Sequence, residues 1–219
     1  MTTQATKTLK LDFQNYWHVG SGRSAGHHLD AVCLKDSHEL PFVPGKQLKG
    51  LLRHAVRRAE DWDWYEEYAT WFSVSIEHLL FGSESQTEDR HQLYAGMLFI
   101  DDAHLSQSEY DFLADQSQAN LRSYLFDDLY STAIDCQTGT AKEHSLRGIE
   151  VALPMCLFAD LHLKVTAFDE RRREQQQRLM DNGLAWQILA QALPLIDTIG
   201  AQRSRGLGEV IVSYADVAA

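Results

Sequence analysis

Leu40-Pro-Phe-Val-Pro-Gly-Lys-Gln-Leu-Lys-Gly-Leu-Leu-Arg53 is the stretch from which the rest of the chain is read. Two prolines and a glycine make a rigid turn, and a helix follows over about Lys46 to Asp61. At ~100° per residue, Lys46, Lys49, Arg53 and Arg57 fall within about 80° of one another. Leu48, Leu51, Leu52, Ala55, Val56 and Ala59 take the opposite side, so the helix is amphipathic with a basic outer stripe. Gly45-Lys46 opens it where free backbone N–H groups and the helix dipole favour an anion; the alternative is a plain turn into a surface helix. It is not a nucleotide-binding P-loop, because Gln47 replaces the magnesium-holding Ser/Thr and Leu40 stands where the first glycine belongs.

Working outward, Thr8 to Trp17 alternates loosely and reads as a first strand. It ends in Gly20-Ser-Gly-Arg-Ser-Ala-Gly26, followed by a short apolar stretch from Leu29 to Leu34. Downstream, Trp62 to Leu80 reads as a second helix, Ser83 to Gln92 as an acidic loop, and Leu93 to Ile100 as a strand ending in Asp101-Asp102. Ser106 to Leu129 has no clear period. Ser131 to Arg147 is polar around Thr138-Gly139-Thr140 and predicts a projecting hairpin. A strand over Leu161 to Phe168, a long helix over Glu170 to Leu193, a glycine loop from Gly200 to Gly208 and a last strand over Glu209 to Tyr214 complete the chain. Mixed helices and widely spaced strands give an α+β fold. With 219 residues, one domain spanning 1–219 is the expectation.

Composition narrows the function classes. No apolar run approaches the ~20 residues that span a bilayer, and the first residues hold no apolar signal core. Three scattered cysteines, Cys33, Cys136 and Cys156, disfavour a disulfide framework. A cytoplasmic protein with no membrane contact is expected. Lys plus Arg total 20 against 31 Asp plus Glu, a formal net charge of -11, which as an average argues against a polyanion partner. An average says nothing about where the charges sit.

The chemistry-bearing features are few. Gly20 to Gly26 is one residue off a dinucleotide fingerprint and no helix follows it. Gly200-Ala-Gln-Arg-Ser-Arg-Gly-Leu-Gly208 combines three glycines with two arginines, a backbone able to lie close to a ligand beside forks that suit phosphate; a plain helix-to-strand connection is the alternative. Ten histidines occur without a Cys-x-x-Cys or His-Glu-x-x-His pattern, so spacing indicates no zinc site. Asp30 lies between a glycine loop and an apolar turn, where an Asp either caps the turn or handles a proton or a hydrated metal ion. Asp101-Asp102 is equally a metal-binding pair or a strand-end turn.

The order of these segments carries a resemblance. Leu29-Asp-Ala-Val-Cys-Leu-Lys-Asp36 with the Leu40–Arg53 stretch, Leu80-Phe-Gly82, Gly96-Met-Leu-Phe-Ile-Asp-Asp-Ala103, Thr132 to Ala141 with Leu146 to Val151, and Ile199 to Val210 resemble in sequence the landmarks of the RAMP superfamily of CRISPR-associated proteins. The subgroup most similar is the backbone subunit of type III effector complexes. The resemblance implies a modified ferredoxin-like (RNA-recognition-motif-like) core with inserted lobes and a thumb hairpin at about 131–147, carrying Thr132, Ile134, Thr138 and Leu146. It implies partners: a CRISPR RNA guide, target RNA, other effector subunits and copies of this chain. It implies that Gly20, Gly22, Arg23, Gly45, Lys46, Lys49, Arg53, Arg57, Arg203, Arg205, Gly206 and Gly208 contact RNA. By position, Asp30 is the residue that cuts target RNA with a divalent metal, Mg2+ or Mn2+. Attack by the adjacent 2′-hydroxyl would leave a 2′,3′-cyclic phosphate. The family usually has small residues after Pro-Gly, where this chain has Lys46-Gln47. Other members of the superfamily imply two alternatives: a non-catalytic subunit that only binds and spaces the guide, and a repeat-processing nuclease using His27 or His28.

Overall fold

In a computed structural model, which describes residues 5–26, 29–83, 94–181 and 183–215, the chain begins with β1 (Thr6–Phe13) and α1 (Gly45–Asp61). Two short helices, α2 (Glu66–Ala69) and α3 (Ile76–Phe81), lead to β2 (Leu98–Ile100). Helix α4 (Gln107–Ala114) and a 3-10 stretch, Gln116–Leu125, precede a ribbon of β3 (Phe126–Ser131) and β4 (Arg147–Ala152). Then come β5 (Cys156–Leu163), α5 (Glu170–Asp181), α6 (Leu184–Ala192) and β6 (Val210–Tyr214).

The main sheet has the order β2-β5-β1-β6, and every neighbouring pair is antiparallel. Leaving out the β3–β4 ribbon, the path is β-α-β-β-α-β with the first and third core strands central, which is a ferredoxin-like core carrying an insertion. The alternation in β1 explains its place. Leu9, Leu11 and Phe13 point inward, and Leu157, Ala159, Leu161 and Leu163 of β5 do the same. Leu48, Leu52, Ala55, Val56 and Ala59 of α1 close over them. Burying each large apolar side chain is worth roughly 1.5–3 kcal/mol, so the apolar stripe of α1 fixes its position on the sheet. The other face carries Thr8, Lys10, Phe158, Asp160 and His162, half open to solvent.

Several boundaries differ from the sequence expectation, each for a local reason. The strand expected at Leu161 to Phe168 is Cys156–Leu163, because the inward alternation runs from Leu157 to Leu163. The expected helix from Glu170 to Leu193 breaks at Gly183, whose φ of 63° is left-handed. The expected helix from Trp62 to Leu80 is two pieces, with Asp63 at φ 59° and Trp62, Trp64 and Trp71 left exposed. The strand expected from Leu93 is Leu98–Ile100, since Gly96 is pressed against Phe81 and Gly82, where a Cβ would lie 2.2 Å from Phe81 C. Most of the expected acidic loop, residues 84–92, lies outside the described residues. The segment without a clear period holds α4, whose N-terminus is a capping box: Glu109 Oε2 accepts the Ser106 N–H at 3.2 Å. Among the described residues no helix is long and apolar enough to cross a membrane.

Candidate nucleic-acid interface

Past Phe13 the chain runs as an extended spine, Tyr16 to Gly20, along one end of the β3–β4 ribbon. Trp17 and Ala152 exchange backbone hydrogen bonds at 3.1 and 2.8 Å, and the Trp17 ring stacks on Phe13 with centroids 4.5 Å apart. The first glycine loop then folds back. Ser21 N–H donates to Val32 O at 3.0 Å, and Leu34 N–H to Val19 O at 2.7 Å. The returning strand lies parallel to β4, with Asp30 N–H donating to Gly148 O at 2.8 Å and Glu150 N–H to Ala31 O at 2.9 Å. Asp30 is exposed at this point, and its Oδ2 accepts the Gly148 N–H at 3.0 Å. The carboxylate thus stands at the root of the 131–147 hairpin, held by one oxygen, while the other has no hydrogen bond among the described residues.

The second glycine loop flanks the same spine. Ala201 N–H donates to His18 O, and Gly208 N–H to Tyr16 O, both at 2.8 Å. Gly200 and Gly208 have positive φ and no room: a Cβ would lie 2.4 Å from His18 O and 2.0 Å from Ile199 O respectively. Gly22 and Gly206 also have positive φ, but nothing lies within 4 Å of their missing Cβ positions. Asn15 Nδ2 steadies the loop tip by donating to Gly206 O at 3.0 Å. Arg23, Arg203 and Arg205 are exposed. Two open backbone turns, one beside the exposed Arg23 and the other beside the exposed Arg203 and Arg205, therefore sit on either side of one extended segment. Such an arrangement suits a phosphate backbone.

Beneath the first loop lies a cluster that spacing alone did not reveal. Glu150 Oε2 accepts the Cys33 N–H at 2.9 Å, and its Oε1 pairs with Lys35 Nζ at 2.8 Å. His18 Nδ1 donates to Glu150 O at 2.6 Å. Burial, reinforced by the Glu150 charge, pushes the Cys33 thiol up to about 12. Cys33 is thus a structural thiol rather than a nucleophile. A cleft of about 480 Å³ opens above it, lined by Ser21, Arg23, Val32, Lys35 and Glu150.

The basic stripe of α1 requires a correction, since it is not a free outer surface. Lys49 Nζ donates to Leu98 O at 2.9 Å, and burial, then the neighbouring Arg53 charge, lower its pKa. Arg53 Nε lies 2.5 Å and Arg57 Nη2 3.2 Å from Oε1 of Glu77, which is only 3% exposed, and Arg53 also donates to Gly82 O. These three side chains fasten α1 to β2 and α3, and Lys46 is the exposed member of the stripe. The anion-favouring end of α1 is met from within: Gly45 N–H donates to Asp102 Oδ1 at 2.7 Å. A Cβ at Gly45 would lie 2.4 Å from Ile100 O, so that glycine serves packing. A charged residue inside the apolar run Ile76-Glu-His-Leu-Leu80 was the available signal for Glu77.

The hairpin over 131–147 projects from the ribbon as expected. Its tip is an Asx turn in which Asp135 Oδ1 accepts the Gln137 and Thr138 N–H groups at 2.8 and 3.2 Å. Those bonds hold the Asp135 carboxyl below its ordinary value. Thr132 Oγ1 and Ser145 Oγ are 2.6 Å apart, and Thr138 and Thr140 bond at 2.8 Å. On this polar finger Ile134 and Leu146 stand 57% and 69% exposed. His27 and His28 lie outside the described residues.

Comparison with known proteins follows the same lines. The sequence matches the RAMP superfamily over residues 10–211. The fold is similar to a chain of the type III-B Cmr-beta complex bound to cognate target RNA: TM-score 0.64, 10% identity, 98% of each chain covered. A chain of the apo type III-B Cmr-beta complex is similar with TM-score 0.61, 10% identity and 99% of each chain covered. No curated protein matches the sequence.

Proposed function

Because the chain belongs to the RAMP superfamily, we propose that it is a guide-binding backbone subunit of a type III CRISPR effector complex that cuts complementary target RNA at Asp30. The likeness in fold to chains of type III-B complexes supports the effector assignment. The paired glycine–arginine loops support RNA contact: Arg23, Arg203 and Arg205 bind guide phosphates, and the open turns at Gly22 and Gly206 let the backbone approach them. Other effector subunits and copies of this chain are the protein partners in this reading.

The observation that carries the catalytic reading is the Asp30 carboxylate at the hairpin root, pinned by Gly148 through one oxygen. The hairpin acts as a thumb. Ile134 and Leu146 are apolar wedges that displace one base pair of the guide–target duplex. The flipped nucleotide leaves its neighbour's 2′-hydroxyl in line with the adjacent phosphorus. Asp30 takes the hydroxyl proton as the oxygen attacks. The bond to the 5′-oxygen breaks, that oxygen takes a proton from solvent, and a 2′,3′-cyclic phosphate remains. Among the described residues Asp30 belongs to no group of three or more His, Cys, Asp or Glu side chains that could hold a metal ion. The Asp30 carboxylate, together with RNA phosphates, would hold a hydrated Mg2+ or Mn2+. When bound, such an ion supplies charge neutralisation at the scissile phosphate.

The test is the Asp30→Ala variant assembled into its effector complex with guide and labelled target RNA. Loss of cutting by about 100-fold or more, with guide loading intact, is expected. Unchanged cutting at every site would overturn the catalytic role and leave a subunit that only binds and spaces the guide.

A further inference from the structure

The Asp101-Asp102 pair divides in the fold. Asp102 caps α1, whereas Asp101 turns to the open face of the main sheet, where it meets Asp160 and His162 of β5. One ligand atom from each of these three residues lies within 4.8 Å of the other two, the one such group of three among the described residues. The backbone fixes all three positions. Asp101 N–H donates to Asp160 O at 3.0 Å, and the β1–β5 register places Thr8 opposite Asp160 and Thr6 opposite His162.

Two features separate this group from an ordinary surface ion pair. The first is orientation by neighbours. Thr8 Oγ1 donates to Asp160 Oδ1 at 2.8 Å, and Thr6 Oγ1 lies 3.2 Å from His162 Nδ1, which leaves Nε2 facing Asp101 Oδ2 at 3.0 Å. A ring nitrogen held from behind while the other faces carboxylate oxygens is the arrangement of a metal-ligating histidine. The second is charge. Among the described residues neither carboxylate pairs with a Lys or Arg, so two like charges share one place with a single imidazole. A divalent cation would balance that set.

We propose that Asp101, Asp160 and His162 form a zinc site on the open face of the sheet, separate from Asp30. One imidazole nitrogen and two carboxylate oxygens, with water in the fourth position, are a zinc donor set. Tetrahedral zinc asks for ligand atoms about 3.4 Å apart; Asp101 Oδ2 and His162 Nε2 are 3.0 Å apart, and all three ligand atoms lie within 4.8 Å of one another. The bound ion would tie the three-residue edge strand β2 to β5.

The test uses the full chain freed of metal by chelation and titrated with Zn2+ alone, read by calorimetry and by the thermal midpoint. One zinc per chain and a rise in midpoint are expected. His162→Ala and Asp160→Asn should each weaken binding at least tenfold, and Thr8→Val about tenfold. Asp30→Asn should bind as the parent does, which keeps this result independent of the catalytic reading. Circular dichroism confirms that each variant is folded. Zinc bound equally well by His162→Ala and Asp160→Asn, or no zinc bound by the parent, would overturn the proposal.

Discussion

Asp30 owes its position to its neighbours and its proposed chemistry to its charge, and the two separate by substitution. An Asn at position 30 keeps an oxygen for the Gly148 N–H, now accepted at 3.0 Å, but gives no carboxylate base. Asp30→Asn should therefore keep guide affinity within about twofold while cutting falls about 100-fold or more, as measured by filter binding and by target cleavage. Cys33 behaves in the opposite way, as a group whose chemistry is suppressed by its place. Its thiol is pushed from 9.0 to about 12, chiefly by burial. Between those values the folded chain holds a proton that the unfolded chain has lost. The stabilisation is complete below pH 9 and declines as pH rises toward 12. In Cys33→Ala the alkaline loss of stability should be shallower by up to about 1.4 kcal/mol per pH unit. Urea unfolding between pH 8 and 11 checks this. Parallel slopes for parent and variant would contradict it.

At the scale of elements, Glu77 joins α1 to α3 more than any surface charge does. Glu77→Gln leaves Arg53 and Arg57 without their carboxylate and should cost roughly 2–3 kcal/mol. That is below the range for a fully buried pair, because the Arg57 side chain is 41% exposed. Thermal or chemical denaturation measures it. The glycine loops give a paired prediction. Gly200→Ala forces a Cβ to within 2.4 Å of His18 O and should cost more than about 2 kcal/mol, whereas Gly206→Ala meets open space and pays only the left-handed φ, about 1 kcal/mol. Equal losses would contradict the division into packed and open glycines. The sequence revealed much at this scale wherever one local rule dominated. The period of α1, the turn at Thr138-Gly139-Thr140 and the glycine loops were all legible. It revealed less where the deciding partner is distant. The inward destination of Lys49, Arg53 and Arg57 depends on Leu98 and Glu77, and the separate fates of Asp101 and Asp102 depend on β5 and α1. The break at Gly183 and the early start of β5 escaped because apolar spacing continued across both boundaries.

For the whole molecule, a net charge of -11 coexists with a local cationic surface. Acidic residues such as Glu109, Asp111, Asp115, Asp127 and Asp128 are exposed between α4 and the ribbon. Arg23, Arg203 and Arg205 are exposed on the two glycine loops beside the Tyr16–Gly20 spine, apart from the exposed Arg147 at the hairpin root and Arg171, Arg173 and Arg178 of α5. An acidic body discourages indiscriminate binding, so in the proposed function affinity for RNA would rest on those loops and fall steeply with salt. Single-stranded RNA loses about 0.7 in the salt slope for each phosphate contact removed. The most direct measurement is the dependence of guide-RNA affinity on salt for the parent, for the combined Arg23→Gln, Arg203→Gln and Arg205→Gln variant, and for Lys49→Met. The loop variant should bind more weakly, with its slope flatter by about 2, while Lys49→Met should lose thermal stability and keep the parental slope. A loop variant with the parental slope, or a flattened slope in Lys49→Met alone, would contradict the account.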